Sequence, residues 1–136
     1  RRECAAGAVS RAAETGGADA LSLINTLTAM AVDPIARRPI LANVTGVLSG
    51  PAIKPVALRM FYQCSQSVGI PIVGLGGIAS GRDVVEFLLC GARAVMAGTA
   101  TLSNPNAGLL ILAALEAFIV QQGIKTNEEC VCALEV

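Results

Sequence analysis

The chain has 136 residues, no formal net charge, 54% apolar residues and only 15% charged residues. Neither a basic run nor many aromatic rings occur in it, which argues against a nucleic-acid-binding protein. The uncharged stretch 94–115 is interrupted by polar residues, and its most apolar part, 109–115, is too short to span a bilayer, so no membrane association is expected.

Hydrophobic periodicity and turn residues predict alternating helices and strands along the chain. The first part is predicted to form a helix over 2–15 closed by Gly16-Gly17, a strand over 20–25, a polar excursion over 28–39, an extended segment over 40–44 and a loop over 45–51. The second part is predicted to form a helix from Pro51 or Pro55 to Val68, a strand over 70–73, a helix over 80–90, a strand over 94–97, a helix from Pro105 or Gly108 to Gln122 and a last helix over 126–134. Ser80 and Asp83 have the spacing of a capping box, as do Thr126 and Glu129.

Three strands separated by helices predict an α/β fold with a parallel sheet. A whole (β/α)8 barrel needs about 250 residues, so we expect residues 1–136 to form the C-terminal part of one (β/α)8 TIM barrel domain whose N-terminal part is missing. A complete small α/β domain is the alternative. The distance between the first two strands is about twice that between the last two, which indicates an insertion after the first strand, where barrels build their active sites.

Two glycine-bearing turns in matching positions are the strongest functional signal. Gly76-Gly77 follows one apolar strand, and Gly98-Thr99 follows the next. Because glycine has no Cβ, backbone N–H groups there can approach an anion, and the threonine adds a hydroxyl. The pair predicts a phosphate site of the kind formed by the last two units of a barrel. The alternative is that both are only tight turns.

Other polar positions leave two interpretations open. Asn25 and Thr26 end the first strand, where a barrel places binding side chains, but an Asn there can also simply turn the chain. Gly46 and Gly50 flank a loop before a helix, with function and structure equally favoured. Lys54 could contact an anion or carboxylate, although a solvated lysine is the favoured interpretation.

The five cysteines carry little chemistry. Cys64 and Cys90 lie in helical patterns and are expected to pack. Cys130 and Cys132 form a C-x-C pair without a second ligand pair, and the chain has no His, so a metal site is not expected. The odd number of cysteines in the chain favours reduced thiols in the cytoplasm over a disulfide framework.

Several strings together closely resemble class 1 dihydroorotate dehydrogenases, and the Ser-Gly-Pro-Ala-Ile-Lys-Pro run is most similar to the NAD-linked type 1B. The resemblance rests on residues 23–26, 39–46, 48–55, 74–78 and 98–99 and covers nearly the whole chain. It implies a (β/α)8 barrel that binds FMN and oxidises dihydroorotate to orotate in pyrimidine biosynthesis. It also implies a homodimer that can associate with an FAD and iron–sulfur electron-transfer subunit.

The resemblance also implies roles for particular residues. Asn25 and Thr26 match residues that bind dihydroorotate. Six positions match FMN contacts: Ile24, Gly50, Gly76, Gly77, Gly98 and Thr99.

Some parts of the family's machinery are expected upstream of Arg1. They are the cysteine that acts as the catalytic base and a flavin-contacting lysine, so no catalytic residue is assigned in this chain, and the chain alone is expected to be inactive. Val47 stands where the family usually has a second glycine after Gly46. The alternatives are a dihydropyrimidine dehydrogenase-like flavin domain, a phosphate-binding barrel without flavin and a non-catalytic subunit or fragment.

Overall fold

The computed structural model describes residues 5–135. In chain order its elements are α1 (Ala5–Thr15), β1 (Leu21–Leu23), β2 (Leu27–Ala29), β3 (Val32–Asp33), β4 (Arg38–Pro39), β5 (Gly46–Leu48), a 3-10 helix (Pro51–Ile53), α2 (Lys54–Ser65), β6 (Ile72–Leu75), α3 (Gly81–Leu89), β7 (Ala94–Met96), α4 (Thr99–Ser103), α5 (Ala107–Gln121) and a second 3-10 helix (Asn127–Cys130). No helix in this part of the chain is both long and apolar enough to cross a membrane.

The central sheet has the strand order β1-β6-β7, and both pairings are parallel. Leu21 pairs with Ile72, and Val73 pairs with Ala94. The predicted parallel sheet and the α/β alternation are therefore confirmed. Since the strands are parallel, their carboxyl ends all lie at the same edge of the sheet.

Two phenylalanines form the centre of the core between the sheet and the helices. Phe61 and Phe87 are fully buried, and their rings meet edge to face with centroids 5.5 Å apart. Such a contact adds about 0.5–1.5 kcal/mol beyond the apolar area that it buries. Gly74 makes room for Phe87, because a Cβ on this glycine would lie 2.6 Å from Cδ1 of the ring.

The predicted capping box of α3 is confirmed. Asp83 N–H donates to Ser80 Oγ at 3.3 Å, and Asp83 Oδ2 accepts from Ser80 N–H at 2.8 Å. These reciprocal bonds satisfy backbone N–H groups that a helix start leaves without partners. They fix the residue at which α3 begins, directly after the turn that follows β6.

Residues 27–48, which we call the arm, are the inserted segment after β1. The insertion itself was predicted, and the polar excursion over 28–39 lies within it. The predictions of an extended segment over 40–44 and of a loop throughout 45–51 are wrong, because 40–44 form bends and a turn and β5 lies within 45–51. The arm is built from two antiparallel pairs, β2 with β5 and β3 with β4. Asp33 Oδ1 closes the turn between β3 and β4 by accepting from the N–H groups of Ile35 and Ala36 at 2.9 and 3.0 Å.

Three further expectations need correction or lie outside the description. The helix α4 directly follows β7 and was not predicted. The predicted helix over 126–134 is only the 3-10 helix Asn127–Cys130, and the Thr126 side chain does not cap it. Residues 2–4 of the first predicted helix lie outside the described residues.

Candidate functional site

A cavity of about 170 Å³ opens at the carboxyl ends of the central strands. All eight residues that the sequence singles out for substrate or cofactor binding line it: Ile24, Asn25, Thr26, Gly50, Gly76, Gly77, Gly98 and Thr99. The remaining lining residues are Ser49, Pro51, Ile53, Leu75, Ile78, Met96 and Ala100. The structure thus brings together segments that follow four different strands, β1, β5, β6 and β7, while the binding role of each residue stays a prediction.

The turn after β6 needs glycine at both of its central positions. Gly76 and Gly77 have φ angles of 124° and 78°, which side chains of L-residues rarely adopt. A Cβ on Gly76 would lie 2.6 Å from the Cβ of Ala57, and one on Gly77 would lie 2.7 Å from the carbonyl oxygen of Gly50. A side chain at Gly77 would therefore collide with the loop that carries Gly50 on the opposite side of the cavity.

Gly98, in the turn after β7, is in a different situation. Its φ of −105° suits any residue, and no described atom lies within 4 Å of the position that a Cβ would take. Neither the backbone nor the surrounding protein therefore requires glycine here. The open space beside Gly98 is room that a bound group can fill, and the backbone approach that glycine permits suits an anion.

Thr99 ties the turn after β7 to the loop before α2. Its Oγ1 donates to Ser49 Oγ at 2.9 Å, and a Cβ on Gly50 would lie 3.3 Å from its methyl carbon. Gly50 itself has a φ of 79°. The Thr99 proton is thus used within the protein, which leaves the Ser49 hydroxyl proton and the hydroxyl lone pairs for a ligand. Ser49 was not among the predicted site residues, although the Ser49-Gly50-Pro51 helix start was the signal that could have identified it.

The residues after β1 form another part of the lining. Ile24 is buried, and its N–H donates to the Leu75 carbonyl at 2.9 Å, which joins it to β6. Asn25 Oδ1 accepts from the Thr26 N–H at 2.7 Å and from the Thr26 hydroxyl at 3.3 Å. The side-chain carbonyl of Asn25 thus turns the chain, whereas a binding role for its NH2 group, the remaining donor at the cavity, stays a prediction.

Lys54, in the first turn of α2, is not a solvated lysine. Its Nζ donates to Asp83 Oδ1 at 2.5 Å and lies 3.0 Å from the Glu86 carboxylate, and its side chain is only 23% exposed. The hydrogen bond to Asp83 is the main cause that raises the pKa of Lys54 above 10.5, against the opposing effect of burial. Burial acts to raise the pKa of Asp83, but hydrogen bonds from Lys54, Ala79 and Ser80 outweigh it and hold that pKa below 3.8.

The cysteines within residues 5–135 lie away from this cavity. The described ones carry free thiols, and none of them belongs to the lining. Burial, with a smaller effect of the Glu86 charge, raises the pKa of the Cys90 thiol, so this residue stays protonated and packs. Within residues 5–135, no three His, Cys, Asp or Glu residues are grouped as a metal site would require.

The parallel strands, the intervening helices and the cavity at the strand ends define this chain as part of a (β/α)8 barrel protein. A family model described as dihydroorotate dehydrogenase matches residues 6–119, and the chain belongs to this family.

Curated relatives at more than half identity bear the same family name. The chain is 57% identical over 120 residues to the "Dihydroorotate dehydrogenase B (NAD(+)), catalytic subunit" of Geotalea daltonii, and 58% identical over 119 residues to the protein of that name in Geobacter metallireducens. Each match covers 88% of this chain but 39% of the relative. The chain therefore spans about two fifths of the length of these proteins.

A solved structure shows the same fold. The dihydroorotate dehydrogenase of Eimeria tenella, crystallised with ferulenol, superposes with a TM-score of 0.78 at 23% sequence identity, over 94% of this chain and 34% of that one. This confirms the predicted α/β fold as a portion of the barrel.

Proposed function

We propose that the protein containing this chain is an FMN-dependent oxidoreductase that converts dihydroorotate to orotate in pyrimidine biosynthesis. The observation that carries the proposal is the convergence on one cavity of all eight residues that the sequence associates with flavin and substrate. The names of the relatives and the family of the chain support it.

The cavity suits FMN in two respects. The open space at Gly98 lies beside the Thr99–Ser49 hydroxyl pair, which offers hydrogen-bond partners to phosphate oxygens. Gly76 and Gly77 line the cavity at the neighbouring turn, so their backbone would hold the phosphate end of the cofactor. Ile24 and Gly50 would lie against the flavin, whose chemistry when bound is to accept a hydride from the substrate.

Asn25 and Thr26 would hold and orient the substrate beside the cofactor. The Asn25 NH2 group would donate to a ring carbonyl, since its own carbonyl oxygen is fixed by Thr26. We place the base that removes the substrate proton outside this chain, on a cysteine from another part of the barrel.

The proposal extends to partners and location. Because the relatives are named catalytic subunits and carry NAD(+) in their name, we propose a second subunit with FAD and an iron–sulfur cluster that passes electrons to NAD(+). A catalytic homodimer in the cytoplasm completes the proposal.

A pair of substitutions at Gly98 tests the cofactor site in the complete barrel protein. Gly98→Asp should abolish flavin retention, because a carboxylate would occupy the open space and repel the phosphate, whereas Gly98→Ala should retain part of it. Flavin content is measured by absorbance after purification, and the unfolding temperature of the apo-protein shows whether each variant folds. Wild-type flavin content in Gly98→Asp would contradict the assignment.

A substitution at Asn25 tests the substrate role. Asn25→Ala should lower kcat/KM for dihydroorotate at least about tenfold, or about 1.4 kcal/mol, while flavin stays bound. Asn43→Ala, on the exposed arm, is the matched control and should leave turnover unchanged. Turnover of Asn25→Ala within about twofold of wild type would show that Asn25 only turns the chain.

A further inference from the structure

We propose that Lys54 and Asp83 are positioning residues that hold the two glycine-bearing walls of the cavity at the spacing required by the phosphate end of the cofactor. One wall is the loop with Ser49 and Gly50 before α2, and the other is the turn with Gly76 and Gly77 after β6. The proposal deepens the function proposed above and rests on it. Neither residue lines the cavity, so both would act through the backbone that they hold.

The two carboxylate oxygens of Asp83 accept hydrogen bonds from segments next to different walls of the cavity. Oδ2 accepts from the N–H groups of Ala79 and Ser80 at 2.9 and 2.8 Å and from the Ser80 hydroxyl at 2.9 Å. These bonds fix the segment that leaves the Gly76-Gly77 turn. Oδ1 accepts from Lys54 Nζ at 2.5 Å, so one side chain connects that segment to the start of α2.

Lys54 meets the same turn at its other end. A Cβ on Gly77 would lie 2.8 Å from the Cβ of Lys54 and 2.9 Å from its backbone nitrogen, so the two backbones are in close contact. Ile53 N–H donates to the Gly50 carbonyl at 3.1 Å. This bond links Gly50 to the residue that precedes Lys54. The ion pair therefore spans the place where the two walls touch.

The Lys54 ammonium is already engaged by two carboxylates, which are the partners that it would have to leave in order to bind a phosphate itself. A positioning role and a direct phosphate contact therefore give opposite results when Asp83 is changed. Asp83→Asn would weaken phosphate binding if the pair sets the spacing. It would leave binding unchanged or strengthen it if the released lysine were the ligand.

The test compares FMN with riboflavin, which has the same ring system but no phosphate. Dissociation constants of both are measured on the apo-form of the complete barrel protein by flavin fluorescence, together with its unfolding temperature. The variants are Lys54→Met, which keeps the aliphatic stem, Asp83→Asn and the conservative Lys54→Arg. Glu86→Gln is the matched control, because Glu86 contacts Lys54 but is half exposed and has no bond to the turn after β6.

We expect Lys54→Met and Asp83→Asn to lower the preference for FMN over riboflavin about tenfold, or about 1.4 kcal/mol, with riboflavin affinity unchanged. Lys54→Arg should retain most of the preference for FMN over riboflavin, and Glu86→Gln should retain all of it. A folded Lys54→Met or Asp83→Asn apo-protein with the wild-type preference would overturn the positioning role alone. A wild-type protein that binds FMN no better than riboflavin would overturn the proposed function as well.

Discussion

The central sheet with its helices buries a core of large apolar side chains, whereas the arm exposes several of its own. Around the sheet, Phe61 and Phe87 are 0% exposed, whereas Ile35 and Val47 on the arm are 93% and 73% exposed. The sheet region gains its stability from burial, and its turns are fixed by contacts with neighbouring elements. The arm depends on two short antiparallel pairings, so its conformation is determined mainly by backbone hydrogen bonds. The cavity lies where these two regions meet.

The largest effect that separates the two regions is expected from truncating a core ring. Phe87→Ala should destabilise the complete protein by about 4 kcal/mol, because it removes the edge-to-face contact with Phe61 and leaves a cavity under the sheet. Ile35→Ala on the arm should change the free energy of unfolding by no more than about 0.5 kcal/mol. Urea denaturation measures both, and similar losses in the two variants would remove the contrast between the regions.

A smaller effect is expected where two helices approach closely. A Cβ on Gly81 would lie 2.6 Å from the carbonyl carbon of Ala114 in α5, so Gly81→Ala should cost about 2 kcal/mol by forcing α3 and α5 apart. Gly108, also in a helix, has open space around its missing Cβ. Gly108→Ala should therefore stabilise the protein by about 0.5 kcal/mol. Thermal unfolding of the two variants should shift in opposite directions, and equal shifts would exclude a packing role for Gly81.

The smallest effect concerns pH and the ion pair beside the cavity. The stability supplied by Lys54 and Asp83, about 1 kcal/mol at most, should be complete above pH 3.8 and below pH 10.5. It is lost as the pH falls through the lowered pKa of Asp83, where the carboxylate becomes protonated in the folded state. It is also lost as the pH rises through the raised pKa of Lys54. The difference in unfolding free energy between wild type and Lys54→Met should therefore be flat from about pH 5 to pH 9, and a slope within that range would contradict this pairing.

The sheet region was predictable because its signals are local. The helix after β6 begins at a Ser80–Asp83 capping box that four consecutive residues encode, and the strands are short apolar runs between helical periods. The pair of glycine turns was recognisable for the same reason, and both turns line the cavity. The segments that contact each glycine were not predictable from the sequence. The contact of Gly77 with Gly50 and Lys54, for example, joins segments that are distant in sequence.

The insertion after β1 was predicted from the strand spacing, but the pairings within the arm were missed because they are short and not marked by periodicity. The strand β5 contains Gly46 and directly precedes Ser49-Gly50-Pro51, a composition typical of loops. Its pairing with β2 depends on contact between segments about twenty residues apart, which no local pattern reveals. Lys54 was misjudged for a related reason, because its carboxylate partners lie on another helix.

The register of the central sheet has a consequence for how the chain can accommodate the arm. Leu21 and Ile72 pair across about fifty residues, whereas Val73 and Ala94 pair across about twenty. Since the entropy lost on closing a loop grows only with the logarithm of its length, the longer connection costs about 0.8 kcal/mol more than the shorter one. This is less than the contribution expected from a single well-packed core side chain. A protein of this architecture can therefore lengthen or shorten the arm at small thermodynamic cost, as long as the residues on either side of it stay in register.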